Sequence, residues 1–341
     1  MRRRLPYILL ALALAALASV PGIDRLRDAE PAATIATTAA ATDPAVQAEA
    51  EDREIVWETV AFAREHGLYD APIGEAIAGI GRTFVGTPYV PHVLEAPGPE
   101  RLIVNLRELD CVTFVENVLA IARVARDDAA AAGADTGDPA AARADAAFDA
   151  GGRDAAGQEH ARARDAVFDA FTDELRSIRY RGGELDGYAS RLHYFSEWIA
   201  DAVGKGLVRD VTRELGGAVD AEPIDFMSTH PDAYRKLSDP AALDAIREVE
   251  ARLGERTRYY IPESRIADVA PRIRDGDIIA ATSSVDGLDV AHTGIALWID
   301  GELHLMHAPL VGRAVEISVE PLADRIRGIE GQDGIMVARP L

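Results

Sequence analysis

The chain has 341 residues, of which 48% are hydrophobic and 27% charged, and its formal net charge is −21 at pH 7. These proportions are those of a globular protein with room for one large domain or two smaller ones. A surface this negative repels phosphate backbones and anionic lipids, so nucleic acid is not expected as a partner.

The first twenty residues have the pattern of an export signal. Three arginines within residues 1–5 precede an uncharged apolar run over residues 7–20, and residues 16–18 (ALA) supply a cleavage pattern of small side chains. The run is shorter than the roughly 20 residues that a membrane span needs. We therefore predict a signal peptide over residues 1–20, a periplasmic or secreted protein, and no stable membrane insertion after the signal is removed.

The segments that follow are mostly helical in pattern. Residues 21–50, rich in Ala, Thr and Pro, are predicted to form a flexible leader. Apolar residues at helical spacing predict helices over 51–66, 71–80, 111–126 and 166–178. Between the last two lies an outlier, residues 127–165, in which 16 of 39 residues are alanine. We expect this segment to be a low-complexity surface insertion in a single domain that spans residues 51–341.

The second half of the chain changes from helical to strand patterning. Helices are predicted over residues 190–203 and 243–253. From residue 277 onwards, short apolar runs separated by turn residues predict an antiparallel sheet, with strands over 278–280, 294–299, 303–306, 314–319 and 335–338. Helices followed by strands indicate an α+β fold.

A single cysteine, Cys111, excludes an intramolecular disulfide, a Cys-x-x-Cys redox pair and a multi-cysteine zinc site. Cys111 stands at the start of a predicted helix, where unpaired N–H groups and the helix macrodipole favour the thiolate. The same N–H groups can bind the negative oxygen of a tetrahedral intermediate. We therefore interpret Cys111 as a nucleophile with a lowered pKa rather than as an inert buried thiol.

Two histidines meet across a predicted hairpin. A two-residue Asp-Gly turn at 300–301 pairs Gly294 with His307, and alternation along the strand puts His292 on the same face. Diagonal neighbours of this kind are within reach of long side chains. We predict His292 as the base for the thiol and His307 as the group that orients it. His304 falls on the opposite face and is predicted to be exposed.

A metal site is the alternative for the same histidines. His292 and His307 with an acidic residue such as Asp289 could bind zinc. The chain contains no HExxH motif, and the hairpin supplies no third ligand at a defined position. We therefore predict no metal and no cofactor.

These motifs together resemble the NlpC-type papain-like cysteine amidases and peptidases of bacterial cell walls. The shared pattern is a thiol at a helix start, His-x-Gly-Ile on a downstream strand and a second histidine on the next strand. The match is closer to the N-acetylmuramoyl-L-alanine amidase-like branch, through ordered segments at 105–116, 190–198 (SRLHYFSEW), 260–262, 276–280, 287–296 (GLDVAHTGIA) and 303–309 (LHLMHAP).

The resemblance implies a papain-like core of N-terminal helices packed on an antiparallel sheet, with the catalytic cysteine at a helix N-terminus. It implies Cys111, His292 and His307 as the catalytic residues. By the same resemblance, the candidate substrate contacts are Tyr89, Arg191 and Tyr194.

The activity implied is hydrolysis of the amide between the lactyl group of N-acetylmuramic acid and L-Ala of peptidoglycan stem peptides. The branch is associated with muropeptide fragments that carry a 1,6-anhydro end, in cell-wall turnover or recycling. One alternative is a γ-D-glutamyl-diaminopimelate endopeptidase, which is weakened because the usual Asp-Cys-Ser-Gly-Phe is Asp-Cys-Val-Thr-Phe here, at residues 110–114. Another alternative is a non-catalytic protein that binds muropeptides.

Overall fold

The computed structural model describes residues 44–135, 152–310 and 314–341. The helices in these ranges are α1 Pro44–Glu65, α2 Ile73–Thr83, α3 Cys111–Asp135, α4 Gly152–Arg179, α5 Phe195–Gly204, α6 Phe226–Thr229, α7 Pro240–Gly254, α8 Ile266–Val269 and α9 Leu322–Gly328. The strands are β1 Val208–Asp210, β2 Ala218–Asp220, β3 Arg258–Pro262, β4 Ile278–Ser283, β5 Val290–Ile299, β6 Glu302–His307, β7 Glu316–Ile317 and β8 Gln332–Pro340.

The strands form one antiparallel sheet in the order β2-β3-β8-β4-β5-β6-β7, and β1 also pairs with β8. Helices therefore dominate the first half and strands the second, and the predicted α+β class is confirmed. The sequence patterns predicted strands in the β4–β8 region but not β1, β2 or β3. All three are short, β1 and β2 are mostly exposed and β3 is mostly half-buried, so they lack the buried apolar run that identifies a strand.

Both faces of the sheet are covered, and side-chain alternation divides the apolar residues between them. One face packs against α3 through Ile278, Ile295 and Met306, which belong to the same buried cluster as the apolar side of that helix. The other face packs Ala281 and Leu305 with the apolar residues of α8 and α9. The sheet is thus a central layer, and α3 reaches its first face with its N-terminus at β5.

The N-terminal helix begins earlier than the sequence indicated. The leader was predicted to extend to residue 50, but α1 starts at Pro44. Residues 45–50 are Ala, Val, Gln and Glu, mostly good helix formers, and Gln47 donates a hydrogen bond to Glu51 at 3.0 Å within the first turns. The predicted signal peptide and the rest of the leader lie outside the described residues.

The predicted insertion is partly helical, because both flanking helices continue into it. Helix α3 extends to Asp135 and α4 begins at Gly152, so the alanine-rich ends of the 127–165 segment are helical. Residues 136–151 lie outside the described residues. The two helices are clamped by a buried ion pair in which Arg179 donates to Glu116 at 2.7 Å.

Helix α5 begins at Phe195, five residues later than predicted. Residues 188–190 form a 3₁₀ turn instead, and the Asp289 carboxylate accepts a hydrogen bond from the Ser196 amide at 2.8 Å, which caps the new start. Among the described residues, no helix has both the length and the apolar character required to cross a bilayer.

Candidate active site

Helix α3 begins at Cys111 because the two residues around it form a reciprocal cap. The Thr113 amide donates to the Asp110 carboxylate at 2.8 Å, and the Asp110 amide donates to the Thr113 hydroxyl at 2.9 Å. This exchange satisfies orphan N–H donors of the first turn in the manner of a capping box. The lone thiol is therefore fixed at the first helical position, as the sequence predicted.

The first turn of α3 is tied directly to strand β5. The Thr293 hydroxyl donates a hydrogen bond to the Cys111 carbonyl at 2.8 Å, across 182 residues of sequence. Because Thr293 directly follows His292, this contact brings the thiol to the strand that carries the predicted base.

The hairpin has the predicted register. Leu297 pairs with His304 and Ile295 with Met306, which extends to Gly294 opposite His307. His292 Nε2 lies 2.8 Å from His307 Nδ1, with the ring planes 88° apart and the centroids separated by 4.9 Å. His307 is fully buried and His292 is partly exposed. The two imidazoles thus form a hydrogen-bonded dyad in which the inner ring is shielded from solvent.

A β-bulge lies immediately before the outer histidine. Ala281 of β4 pairs with His292, but the next pair is Thr282 with Val290, so Ala291 is an extra residue in β5. A bulge re-aims neighbouring side chains and increases local twist. Strict alternation would point His292 away from α3, since Thr293 points toward it. The bulge falls between Val290 and His292, so it changes the direction of the His292 side chain on the strand that Thr293 ties to α3.

The thiol itself is not acidified in the free protein. Burial and, secondarily, the neighbouring Asp110 carboxylate raise the pKa of Cys111 to about 11, against the opposing effect of hydrogen bonds from Thr293 and its own amide. The expectation of a lowered pKa is therefore wrong for the resting state. The capping carboxylate that starts the helix also opposes the positive end of its dipole.

Burial also keeps the two imidazoles neutral. Burial lowers the pKa of His292 to about 3 and that of His307 to about 2, and the positive charge of Arg325 on α9 acts in the same direction on both. A neutral imidazole retains a lone pair that can accept a proton. The resting site consequently has a neutral thiol and a neutral dyad, not a thiolate–imidazolium pair.

Of the three predicted substrate contacts, Tyr89 lies near the thiol. Its backbone bridges to Leu109, two residues before the nucleophile, and it is partly buried. Burial and the negative charges that Cys111 and Asp110 can carry raise the pKa of the Tyr89 phenol, which therefore keeps its proton. A neutral hydroxyl at this position is able to donate a hydrogen bond to a bound ligand.

Arg191 and Tyr194, the other two predicted substrate contacts, lie in buried hydrogen-bond networks. The Arg191 guanidinium contacts Glu95 and the Leu94 carbonyl and lies 3.4 Å from Glu100. The Tyr194 hydroxyl donates to Glu250 at 2.8 Å and accepts from the Met227 amide at 2.9 Å. Both residues are at most 5% exposed. These contacts hold loops together, and the role of the two residues as substrate contacts stays a prediction.

His304 also differs from expectation. It lies on the face opposite His307, as alternation requires, but it is buried rather than exposed. Its Nδ1 lies 2.9 Å from the Ser318 carbonyl, because the chain beyond β7 folds back over β6. A hairpin in isolation would leave this position in solvent, and the returning segment covers it.

The metal alternative gains no support from the positions of its ligands. Asp289 accepts hydrogen bonds from the Ser196 and Val290 amides and so serves as a cap. Within the described ranges, no three His, Cys, Asp or Glu side chains are grouped as metal ligands.

Two residues that shape the site were missed from the sequence. The Asp-x-x-Thr spacing of Asp110 and Thr113 is readable as a capping box. Thr293 lies between His292 and Gly294 in the quoted motif, but a hydroxyl inside a strand gives no indication of its distant partner. Its contact with Cys111 follows only from the packing of α3 on β5.

The chain is similar to known proteins of one family. A family model described as AmiA-like, N-acetylmuramoyl-L-alanine amidase-like, matches residues 79–132 and 157–334. An N-acetylmuramoyl-L-alanine amidase from Bacteroides uniformis ATCC 8492 is 34% identical with a TM-score of 0.64, over 79% of this chain and 98% of that one. No curated protein sequence gives a significant match.

Two further solved structures are similar. A Bacteroides fragilis protein described as a candidate xylanase is 35% identical, with a TM-score of 0.60 over 76% of this chain and 98% of its own. A DUF1460 protein from Legionella pneumophila is 19% identical, with a TM-score of 0.54 over 87% and 95%, and shows the shared fold alone. With the family model matching well over half of its length, the chain belongs to the N-acetylmuramoyl-L-alanine amidase-like family.

Proposed function

We propose that this protein is a cysteine hydrolase that cleaves the amide between N-acetylmuramic acid and L-Ala of peptidoglycan stem peptides. The observation that carries the proposal is the 2.8 Å link from Thr293 to the Cys111 carbonyl, one residue along β5 from His292 of the 2.8 Å imidazole dyad. Membership of the amidase-like family supports the bond type. The preferred substrates are soluble muropeptides with a 1,6-anhydro end, as in cell-wall turnover or recycling.

The first chemical step starts from neutral partners. The Cys111 sulfur attacks the lactyl carbonyl carbon while its proton passes to His292 Nδ1, and the carbonyl electron pair moves onto oxygen. The N–H groups of the first turn of α3 that the Asp110 cap leaves free are the proposed donors to that negative oxygen. Because the thiol pKa is about 11 and the imidazoles are neutral at rest, proton transfer accompanies attack instead of preceding it.

The second half of the cycle returns the proton. His292 donates it to the L-Ala nitrogen as the carbon–nitrogen bond breaks, leaving a thioester on Cys111. His292 then takes a proton from water, which attacks the thioester and releases the lactyl carboxylate and the thiol. His307 holds the dyad in one orientation through the 2.8 Å contact. The residues proposed as catalytic are Cys111, His292 and His307, with Tyr89 as a substrate contact.

The experiment is a product analysis on a defined anhydro-muropeptide by mass spectrometry. Amidase action releases the intact stem peptide and the sugar lactyl acid. The endopeptidase alternative cuts after D-Glu and leaves L-Ala on the sugar, and a binding protein yields no product. Cys111→Ala should abolish cleavage with unchanged circular dichroism, and unchanged turnover in that variant would end the proposal.

The cellular location is part of the same proposal. The basic and apolar pattern of residues 1–20 supports export to the periplasm or beyond the cell, where wall fragments are found. Cleavage of this segment during expression, measured as the mass of the mature N-terminus, checks it.

A further inference from the structure

The inner imidazole of the dyad has a buried nitrogen that the proposed mechanism does not use. His307 is fully buried, and its Nε2 has no hydrogen-bond partner among the described residues. An unsatisfied buried polar atom costs about 1–3 kcal/mol, so its surroundings call for an explanation. The acidic group beside it is Glu316, whose Oε1 lies 3.9 Å from His307 Nε2.

Strand pairing keeps these two residues together. Glu316 of β7 is directly opposite His307 of β6, with Met306 opposite Ile317 as the next pair. Side chains of opposed residues lie on the same face with Cβ atoms about 4.5–5.5 Å apart. A small rotation of the Glu316 side chain, or one bridging water, therefore completes a hydrogen bond across the 3.9 Å gap.

That hydrogen bond determines which ring nitrogens of His292 and His307 carry hydrogen. A neutral imidazole donates from one nitrogen and accepts at the other. For His292 Nδ1 to accept the thiol proton, His292 Nε2 must carry hydrogen and donate it to His307 Nδ1. His307 must then carry its own hydrogen on Nε2, the nitrogen that faces Glu316. An ionised carboxylate only accepts, so it favours this arrangement and opposes the reverse one.

We propose that Glu316 is a positioning residue that accepts the His307 Nε2 hydrogen and thereby fixes both imidazoles in the tautomers that leave His292 Nδ1 free for the thiol. The inference rests on the proposed function for its catalytic meaning. In the proposed mechanism the proton path runs from Cys111 through the dyad to Glu316, at the open side of β7, where the carboxylate is 48% exposed.

The charges around the two imidazoles keep both rings neutral, while Glu316 determines which of their nitrogens carry hydrogen. Arg325 of α9 acts on both imidazoles and also on Glu316 and Glu320, and its Nε is buried without a partner among the described residues. The guanidinium balances the Glu316 carboxylate, so that carboxylate selects the tautomer without drawing a second proton onto the dyad.

The test compares Glu316→Gln with Glu320→Gln. Each replaces one carboxylate that faces Arg325, and only Glu316 contacts His307, so the second variant is the matched control. A glutamine amide can donate or accept, so Glu316→Gln removes the tautomer preference while preserving shape. On a muropeptide substrate we expect kcat to fall about tenfold with KM unchanged, which is less than the effect of losing a general base. Glu320→Gln should match the native protein.

A spectroscopic measurement makes the inference independent of turnover. In ¹⁵N-histidine-labelled protein, His307 should show a protonated Nε2 and an unprotonated Nδ1, and Glu316→Gln should show exchange between the two tautomers. Native kcat and native tautomers in Glu316→Gln would overturn the inference and leave the proposed function standing. If the native protein cleaves no muropeptide, the proposed function fails, and the ¹⁵N spectra alone then decide the role of Glu316 in ordering the dyad.

Discussion

Two polar clusters in this protein contain residues from the same set of sequence motifs, but they differ in charge and in role. Around Cys111, His292 and His307, few groups are charged and one ring nitrogen is unsatisfied among the described residues. Around Arg191, by contrast, the guanidinium, two glutamates and Lys236 form a network of ion pairs. Neutral groups with free lone pairs suit proton transfer, whereas paired charges hold loops in place.

The comparison shows that a motif shared with an enzyme family contains structural residues as well as catalytic ones. The segment at residues 190–198 is as recognisable as the histidine motif, yet its polar side chains face inward. Arg191 of this segment pairs with Glu100, and Lys236 from elsewhere in the chain contacts the same carboxylate at 2.7 Å. These ion pairs hold the loop at residues 94–101 in place. A family pattern therefore identifies the neighbourhood of a site more reliably than the contacts within it.

The largest expected effect is on the reactivity of the thiol. With the pKa of Cys111 raised to about 11, the thiolate fraction, and with it the rate of iodoacetamide alkylation, should rise about tenfold for each pH unit between pH 6 and 9.5. Mass spectrometry of the labelled protein measures the rate, and Cys111→Ser is the blank. His292→Ala should keep the same slope. A plateau below pH 7 that disappears in His292→Ala would reveal an ion pair and contradict the neutral resting site.

The next effect is on stability and comes from the other cluster. Arg191→Met leaves the half-buried Glu95 without its cation and Glu100 with Lys236 alone, and should lower the free energy of unfolding by about 3 kcal/mol. The matched control is Arg247→Met, which removes an exposed pair with Asp244 and should change it by less than about 0.5 kcal/mol. Urea denaturation measures both. If Arg191→Met is fully stable but loses substrate affinity, the residue is a substrate contact after all.

The smallest effect tests the tie between helix and strand. Thr293→Val keeps the side-chain shape but removes the hydrogen bond to the Cys111 carbonyl, and should cost about 1 kcal/mol of unfolding free energy. It should also lower kcat, because the thiol loses its fixed position next to the dyad. Thr59→Val removes a hydroxyl bonded to the Ile55 carbonyl in α1 and serves as the control. Equal kcat in the two variants would show that the tie is only structural.

The sequence was sufficient for the division into helices followed by strands and for the hairpin register. A two-residue Asp-Gly turn allows one pairing, and side-chain alternation then determines that His292 and His307 share a face while His304 does not. The start of α3 was also readable, because a capping box is a local signal. These features depend on neighbours within a few residues, so tertiary packing does not alter them.

Only the tertiary structure decided the charge states and the partners. The thiol pKa rises because packing against β5 buries a sulfur that the helix start alone would expose and acidify. Arg191 and His304 are buried by segments from elsewhere in the chain, the 94–101 loop and the Ser318 region. Burial and long-range hydrogen bonds depend on which distant segments pack together, and local sequence patterns do not predict that packing.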